Sequence, residues 1–234
     1  MAKAQYAILR FSKYKGSEIG RIEAHDERTK EKYTSNPDVD TSRSALNFHL
    51  IQPEHSYREE AERQIAEAGC RVRSDSVKLV EVLIAGTPRF FKDKTQEQIK
   101  EYFEHALEFL RQKQRAETFV SAVVHLDEKT PHMHVTFVPL TEDNRLSAKE
   151  IIGNKAKLSQ WQSDYWTHMV GKYPDLERGE LDTAKRGSVQ KKLDDAQLLN
   201  DYRELCRIVE RIPPEILERA KRQERSAAAS RCTR

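Results

Sequence analysis

The sequence predicts an α+β domain: a mainly antiparallel sheet of about five strands with helices over one face. Three observations predict it. Apolar runs of strand composition alternate with segments of helical period in the order strand, strand, helix, strand, helix. The helical segments carry their own start signals, Ser or Thr followed three residues later by Glu or Gln. A last pair of strands is separated only by a short polar stretch with a proline, as in a hairpin. A chain of 234 residues is long enough for one such domain and an appendage. We place the domain at residues 1–180 and a charged helical extension at 181–234.

The elements follow in order. Ala4 to Phe11, AQYAILRF, reads as the first strand. Residues 13–20, KYKGSEIG, read as a basic loop, and Ala24 to Lys30 as a polar segment, by itself no more than a solvated helical turn. A loop from Asp40 enters a second strand, Leu46 to Leu50. Ser56-Tyr57-Arg58-Glu59 opens a helix with Tyr57, Ala61, Ile65 and Ala68 on its apolar side, and Gly69 suits its end. Arg71 and Arg73 lie in a polar connector. Val77 to Ala85 is a strong strand. Thr95 caps a helix reaching about Arg115, with Ile99, Tyr102, Phe103, Ala106 and Leu110 at core spacing. Ser147 opens a short helix ending by Gly153. A second runs from Lys155 to Val170, where Trp161, Trp166 and His168 read as packing residues. His49 and His55 read as surface residues.

The stretch that carries chemistry is His125 to His134, HLDEKTPHMH, which holds three of the chain's eight histidines. The run FVSAVV (119–124) leads in and VTFVPL (135–140) leads out. Side chains alternate along a strand, so His132 and His134 share one face while Met133, Val135 and Phe137 take the other. A hairpin over LDEKTP sets His125 beside His132. Three neutral imidazoles can hold one divalent cation and leave positions open for substrate oxygen. Glu128, in the loop, is placed to orient a ligand or accept a proton. The alternative is a surface hairpin with solvated histidines.

HLDEKTPHMH resembles the metal motif of the Mob/Pre (MobV) plasmid relaxases, members of the HUH endonucleases. The resemblance extends to His25 and Arg28, which match an N-terminal His-x-x-Arg motif, to Ser42-Arg43-Ser44 with Leu46-Asn47-Phe48, and to Asp175-Leu176-Glu177-Arg178-Gly179. It covers roughly residues 1–180 by motif placement and implies the HUH fold. It implies His25 as the nucleophile that joins the 5′-phosphate of a nicked DNA strand, with Tyr33 the best rival and Tyr6 and Tyr14 behind it. It implies His125, His132 and His134 as metal ligands, manganese favoured and magnesium the alternative. Glu128 would orient His25 or take its proton. Arg28, Arg43, Ser42, Ser44, Asn47, Arg71 and Arg73 are the candidate phosphate and DNA contacts. The partner would be a plasmid transfer origin, single-stranded or as a hairpin, with no small-molecule cofactor, and the extension offers a route to a homodimer. Two rivals of other classes remain: a hydrolase in which bound water attacks, and a DNA-binding accessory protein that does not cleave.

Composition narrows the context. Charged residues make up 34% of the chain, and the net charge is only +3. Any grip on phosphate must therefore come from local arginines and lysines. Lys185, Arg186, Lys191 and Lys192 form one such patch in the extension. Cys70, Cys206 and Cys232 are odd in number and far apart, which fits a reducing cytoplasm and argues against a disulfide framework. The few apolar residues after Lys3 are too few to predict a signal peptide, and no run approaches the roughly 20 apolar residues of a membrane span.

Overall fold

The protein is described by a computed structural model over residues 4–30, 33 and 36–179. The expected extension, 181–234, lies outside the described residues. Among the described residues six strands form one sheet: β1 (Tyr6–Lys15), β2 (Phe48–Ile51), β3 (Val77–Gly86), β4 (Phe119–His125), β5 (His132–Phe137) and β6 (Glu177–Arg178). Their spatial order is β2-β4-β5-β3-β1-β6. Every pairing is antiparallel except β1 with β6. The α+β class and mainly antiparallel sheet are as the sequence predicts, with one strand more than expected.

Period-2 burial sends alternate residues of β3 to opposite faces. Val80, Val82 and Ile84 join the larger core, together with Met133, Val135 and Phe137 of β5. Helix α4 (Gln96–Arg111) and helix α6 (Lys155–Val170) cover that face, contributing Tyr102, Phe103, Leu107, Leu110, Trp161 and Tyr165. Each large side chain buried this way contributes roughly 1.5–3 kcal/mol. The reciprocal capping box at Thr95 and Gln98 starts α4 where the sequence places it.

The other face is covered in part, which differs from the one-sided arrangement expected. Helix α1 (Ile19–Asp26) and helix α2 (Tyr57–Glu67) pack Ile19, Tyr57, Ala61 and Ile65 against Leu79, Val120, Val138 and Leu140. The sequence pattern predicts a loop at residues 13–20, because Gly16 and Gly20 interrupt it. The structure extends β1 to Lys15 and begins α1 at Ile19. Buried Ile19, Ile22 and Asp26 sit at helical spacing, so tertiary burial overrides the weak local propensity of an eight-residue helix. Two further helices, α3 (Pro88–Phe91) and α5 (Ala148–Ile152), are short.

The outer edge of β1 is closed by α6 and by Asp175 to Gly179. Gln162, buried on α6, accepts from the Leu9 N–H at 3.0 Å and donates to the Ala7 carbonyl at 2.9 Å. The Gly179 N–H reaches the same carbonyl at 3.1 Å. Arg178 ties β6 to Ser159 and Ser163 of α6. A Cβ on Gly179 would stand 2.5 Å from the Ala7 oxygen. Gly179→Ala should therefore destabilise the domain by about 1–3 kcal/mol. Thermal melting will show a fall of roughly 2–4 °C per kcal/mol; an unchanged melt would mean that this strand edge yields freely.

Candidate active site

The hairpin has the expected register, with His125 opposite His132 and His134 opposite Val123. The ring centroids of His125, His132 and His134 lie 4.9–5.2 Å apart. His25, in the last turn of α1, enters the same group, 5.1 Å from His134 and 5.7 Å from His125. Four histidines and three carboxylates thus meet on the sheet face that carries α1 and α2. Among the described residues, donor atoms come within 4.8 Å of one another in three overlapping sets here: His25 with His125 and His134, His125 with Glu128 and His132, and Asp26 with Glu81 and His134.

The hydrogen bonds decide which nitrogens can ligate. His134 Nδ1–H donates to Glu81 Oε1 at 2.6 Å. Its Nε2 is buried with no hydrogen-bond partner. A bare, buried lone pair beside other imidazoles fits a metal ion, and the carboxylate behind it fixes the tautomer. His132 Nδ1–H donates to the Thr130 carbonyl at 2.8 Å, which likewise leaves Nε2 with its lone pair. His125 is held at both ends: Nε2–H donates to the Asp26 carbonyl at 2.8 Å, and Nδ1 accepts from Arg28 Nη2 at 2.9 Å. To ligate, it must exchange one of those bonds. Burial, then the neighbouring His134 and Arg28, push His125 down to about 2. Burial, then His132, pushes His134 well below the ordinary range. Both rings are therefore neutral, as ligands must be.

Glu81, on β3, was not visible as a site residue in the sequence, where it is one acid in an apolar strand. It also accepts from Tyr14 Oη at 2.8 Å, and burial raises its carboxyl above the ordinary range. Because it fixes the His134 tautomer, Glu81→Gln should weaken manganese binding by about 10–100-fold, measured by titration calorimetry. Unchanged affinity would mean that His134 needs no such partner.

Arg28 is the hub of the site. Its backbone takes a left-handed conformation, φ 52°. Its guanidinium donates to both oxygens of Asp127 at 2.8 and 2.9 Å, to Glu128 Oε1 at 2.6 Å and to the His25 carbonyl at 2.8 Å. The family motif suggests Arg28 as a phosphate contact; the structure turns it inward and engages it with protein. Asp127, which belongs to the sequence motif but takes no role from it, is buried and accepts from Ser44 Oγ at 2.7 Å as well. Burial alone would raise its carboxyl, but the hydrogen bonds from Arg28 and Ser44 outweigh that and hold it well below the usual range.

The other candidates divide. Asn47 Oδ1 accepts from the Leu126 N–H at 2.7 Å, and Arg43 Nη2 donates to the Leu126 carbonyl at 2.7 Å. With Ser44 these residues brace the loop before Asp127, although Arg43 remains exposed. Ser42 is exposed and bonded to Asp40. Arg71 and Arg73 are exposed in the connector before β3, about 13 Å or more along the strand from Glu81, and do not join the histidines. Tyr33 Oη donates to the Ala24 carbonyl at 3.0 Å, so its hydroxyl is committed to the α1 backbone. His49, expected at the surface, pairs with Glu27 at 3.0 Å. His168 stacks on His105 at 4.1 Å, each Nε2 on the other's backbone carbonyl.

The Mob_Pre family model, described as plasmid recombination enzyme, matches residues 3–225. Plasmid recombination enzyme type 3 of Mammaliicoccus lentus is 39% identical over 180 residues, covering 75% of this chain and 43% of that protein. The plasmid recombination enzyme of Bacillus thuringiensis is 32% identical over 216 residues, 92% of this chain and 48% of its own length. The chain thus spans less than half the length of these relatives. Among solved structures, the manganese-bound relaxase domain of MobM on pMV158 plasmid oriT DNA is 31% identical with a TM-score of 0.70, over 76% of this chain and 92% of that one. By sequence and by fold, the chain belongs to the Mob_Pre family of plasmid recombination enzymes.

Proposed function

We propose that the chain is a DNA relaxase, which nicks and rejoins one strand of a plasmid transfer origin through a covalent His25 adduct. The observation that carries this reading is the His25 ring, set among the metal-competent histidines while the rival Tyr33 hydroxyl is bonded away. Burial, then the charge of Arg28, lowers His25 below its ordinary value, so the ring is neutral and carries a lone pair near pH 7. Arg28 Nη1 lies 3.3 Å from Nδ1.

Attack by a His25 nitrogen forms an N–P bond and breaks the bond from phosphorus to O3′. The oxygen leaves as a 3′-hydroxyl, taking a proton, and the 5′-phosphate stays on the ring as a phosphoramidate. A 3′-hydroxyl attacking in reverse rejoins the strand. Glu128, whose Oε1 the Arg28 guanidinium holds in the same cluster, is the carboxylate that would orient the ring or take its proton as the bond forms. Arg28 positions His25 through its backbone carbonyl and Nδ1. The exposed Arg43, Arg71 and Arg73 are left to meet DNA phosphates. A divalent ion held by His125, His132 and His134, manganese by analogy with the MobM structure and by its tolerance of imidazole, would polarise a phosphate oxygen and screen its charge.

Transfer-origin DNA as substrate, in single-stranded or hairpin form, rests on that similarity; a cytoplasmic setting rests on the scattered, odd-numbered cysteines, and a homodimer through residues 181–234 on the family resemblance. Among the described residues no helix is long and apolar enough to cross a membrane. The test is incubation with manganese and DNA carrying the cognate transfer origin, then mass spectrometry of the peptide–nucleotide adduct. An adduct on His25 that persists in Tyr33→Phe supports the reading. A nick without an adduct overturns it in favour of attack by water.

A further inference from the structure

The turn of α1 that carries His25 ends on a carboxylate that the proposed reaction does not use. Glu27 follows Asp26 at the C-terminal cap of α1. It accepts from the Tyr57 hydroxyl of α2 at 2.7 Å, from His49 Nε2 of β2 at 3.0 Å and from Ser121 Oγ of β4 at 3.4 Å. Three donors from three elements therefore converge on one side chain, two residues from His25. Tyr57 is fully buried. Burial would raise the Glu27 carboxyl, but the hydrogen bonds from His49 and Tyr57 outweigh it and hold it below the ordinary range.

An eight-residue helix does not hold its own last turn in place. Ile19 and Ile22 bury the first half of α1. Beyond Glu27 the chain turns through the left-handed Arg28, so nothing helical continues the axis. The end that carries His25 is fixed by side chains. Arg28 and the Asp26 carbonyl attach it to the hairpin from one side, and Glu27 attaches it from the other. Ser121 lies on β4, the strand that also carries His125. Glu27 thus links the nucleophile's helix to the strand of a metal ligand without touching either reacting group.

We propose that Glu27 is a positioning residue that sets the distance and angle of His25 relative to the hairpin histidines, with Tyr57 and His49 as its anchors. The proposal rests on the reading of His25 as nucleophile. A displacement of about 1 Å at a reacting group can cost roughly 100-fold in rate, so loss of this anchor should appear in the chemical step rather than in binding.

The experiment compares Glu27→Gln, Tyr57→Phe and their double variant in the full chain. Single-turnover nicking is followed at saturating manganese and transfer-origin oligonucleotide, at a temperature where melting curves show each variant folded. Oligonucleotide affinity and manganese affinity are measured beside it. The expected result is a rate lower by roughly tenfold or more in each single variant, with both affinities unchanged and the double variant no slower than the worse single, as for residues acting through one contact. Glu27→Asp, which keeps the charge, should recover part of the rate. Unchanged rates in Glu27→Gln and Tyr57→Phe, with His25→Ala inactive, would overturn the positioning role alone. A rate lowered only in proportion to lost affinity would also overturn it. Full activity in His25→Ala would overturn the nucleophile assignment itself, and the proposal with it.

Discussion

If His25 is the nucleophile, as proposed, His25→Ala should lower the single-turnover nicking rate by roughly a thousandfold or more and abolish the covalent adduct, because the nearby tyrosine hydroxyls are engaged elsewhere. The Tyr33 hydroxyl is bonded to the Ala24 carbonyl, and Tyr14 is bonded to Glu81. The same variant tests another role for His25. Its donor atoms come within reach of His125 and His134, which would also suit a fourth metal ligand. As a nucleophile, His25 can be removed with manganese affinity kept within about twofold. As a ligand, its loss would lower that affinity by at least about tenfold. Titration calorimetry on the variant separates the two, and rapid-quench kinetics with denaturing electrophoresis reads the rate.

Arg28→Ala should have the largest effect on stability. The guanidinium side chain is 6% exposed, Asp127 0% and Glu128 14%. Removing the cation leaves Asp127 buried with Ser44 as its remaining short side-chain donor. Breaking a buried pair from one side costs about 3–5 kcal/mol, which corresponds to a melting point lower by roughly 6–20 °C. Arg28→Lys should recover only part of this, since an ammonium cannot donate in a fork to both Asp127 oxygens. Denaturant unfolding of the three proteins measures the difference. If Arg28→Ala were as stable as the parent, the bonds to Asp127 would be a consequence of packing and not a cause of it. The nicking rate should fall in both variants, because Arg28 also holds the His25 carbonyl and lies against Nδ1.

Much of this protein is legible in its sequence because the signals are short-range. The alternation His132-Met133-His134 assigns faces by strand geometry alone, and a six-residue link leaves few registers, so His125 falls opposite His132. Ser56, Thr95 and Ser147 mark helix starts through hydrogen bonds to residues three positions on. His25 and Arg28, three positions apart with Asp26-Glu27 between them, stand out as a pair only through the family's His-x-x-Arg motif.

Tertiary structure alone decided what surrounds those histidines. Glu81 comes to His134 from 53 residues away, Asp127 to Arg28 from 99, and Tyr57 to Glu27 from 30. No local pattern marks a carboxylate as buried rather than solvated, so the sequence assigns Glu81, Asp127 and Glu27 no role. The direction of Arg28 is of the same kind. In sequence a guanidinium near a nucleophile suggests a phosphate contact, whereas in the fold it faces two acids and an imidazole that have lost their water. Desolvation makes those bonds obligatory, and desolvation depends on which elements pack together, here α1 and α2 against the hairpin face of the sheet.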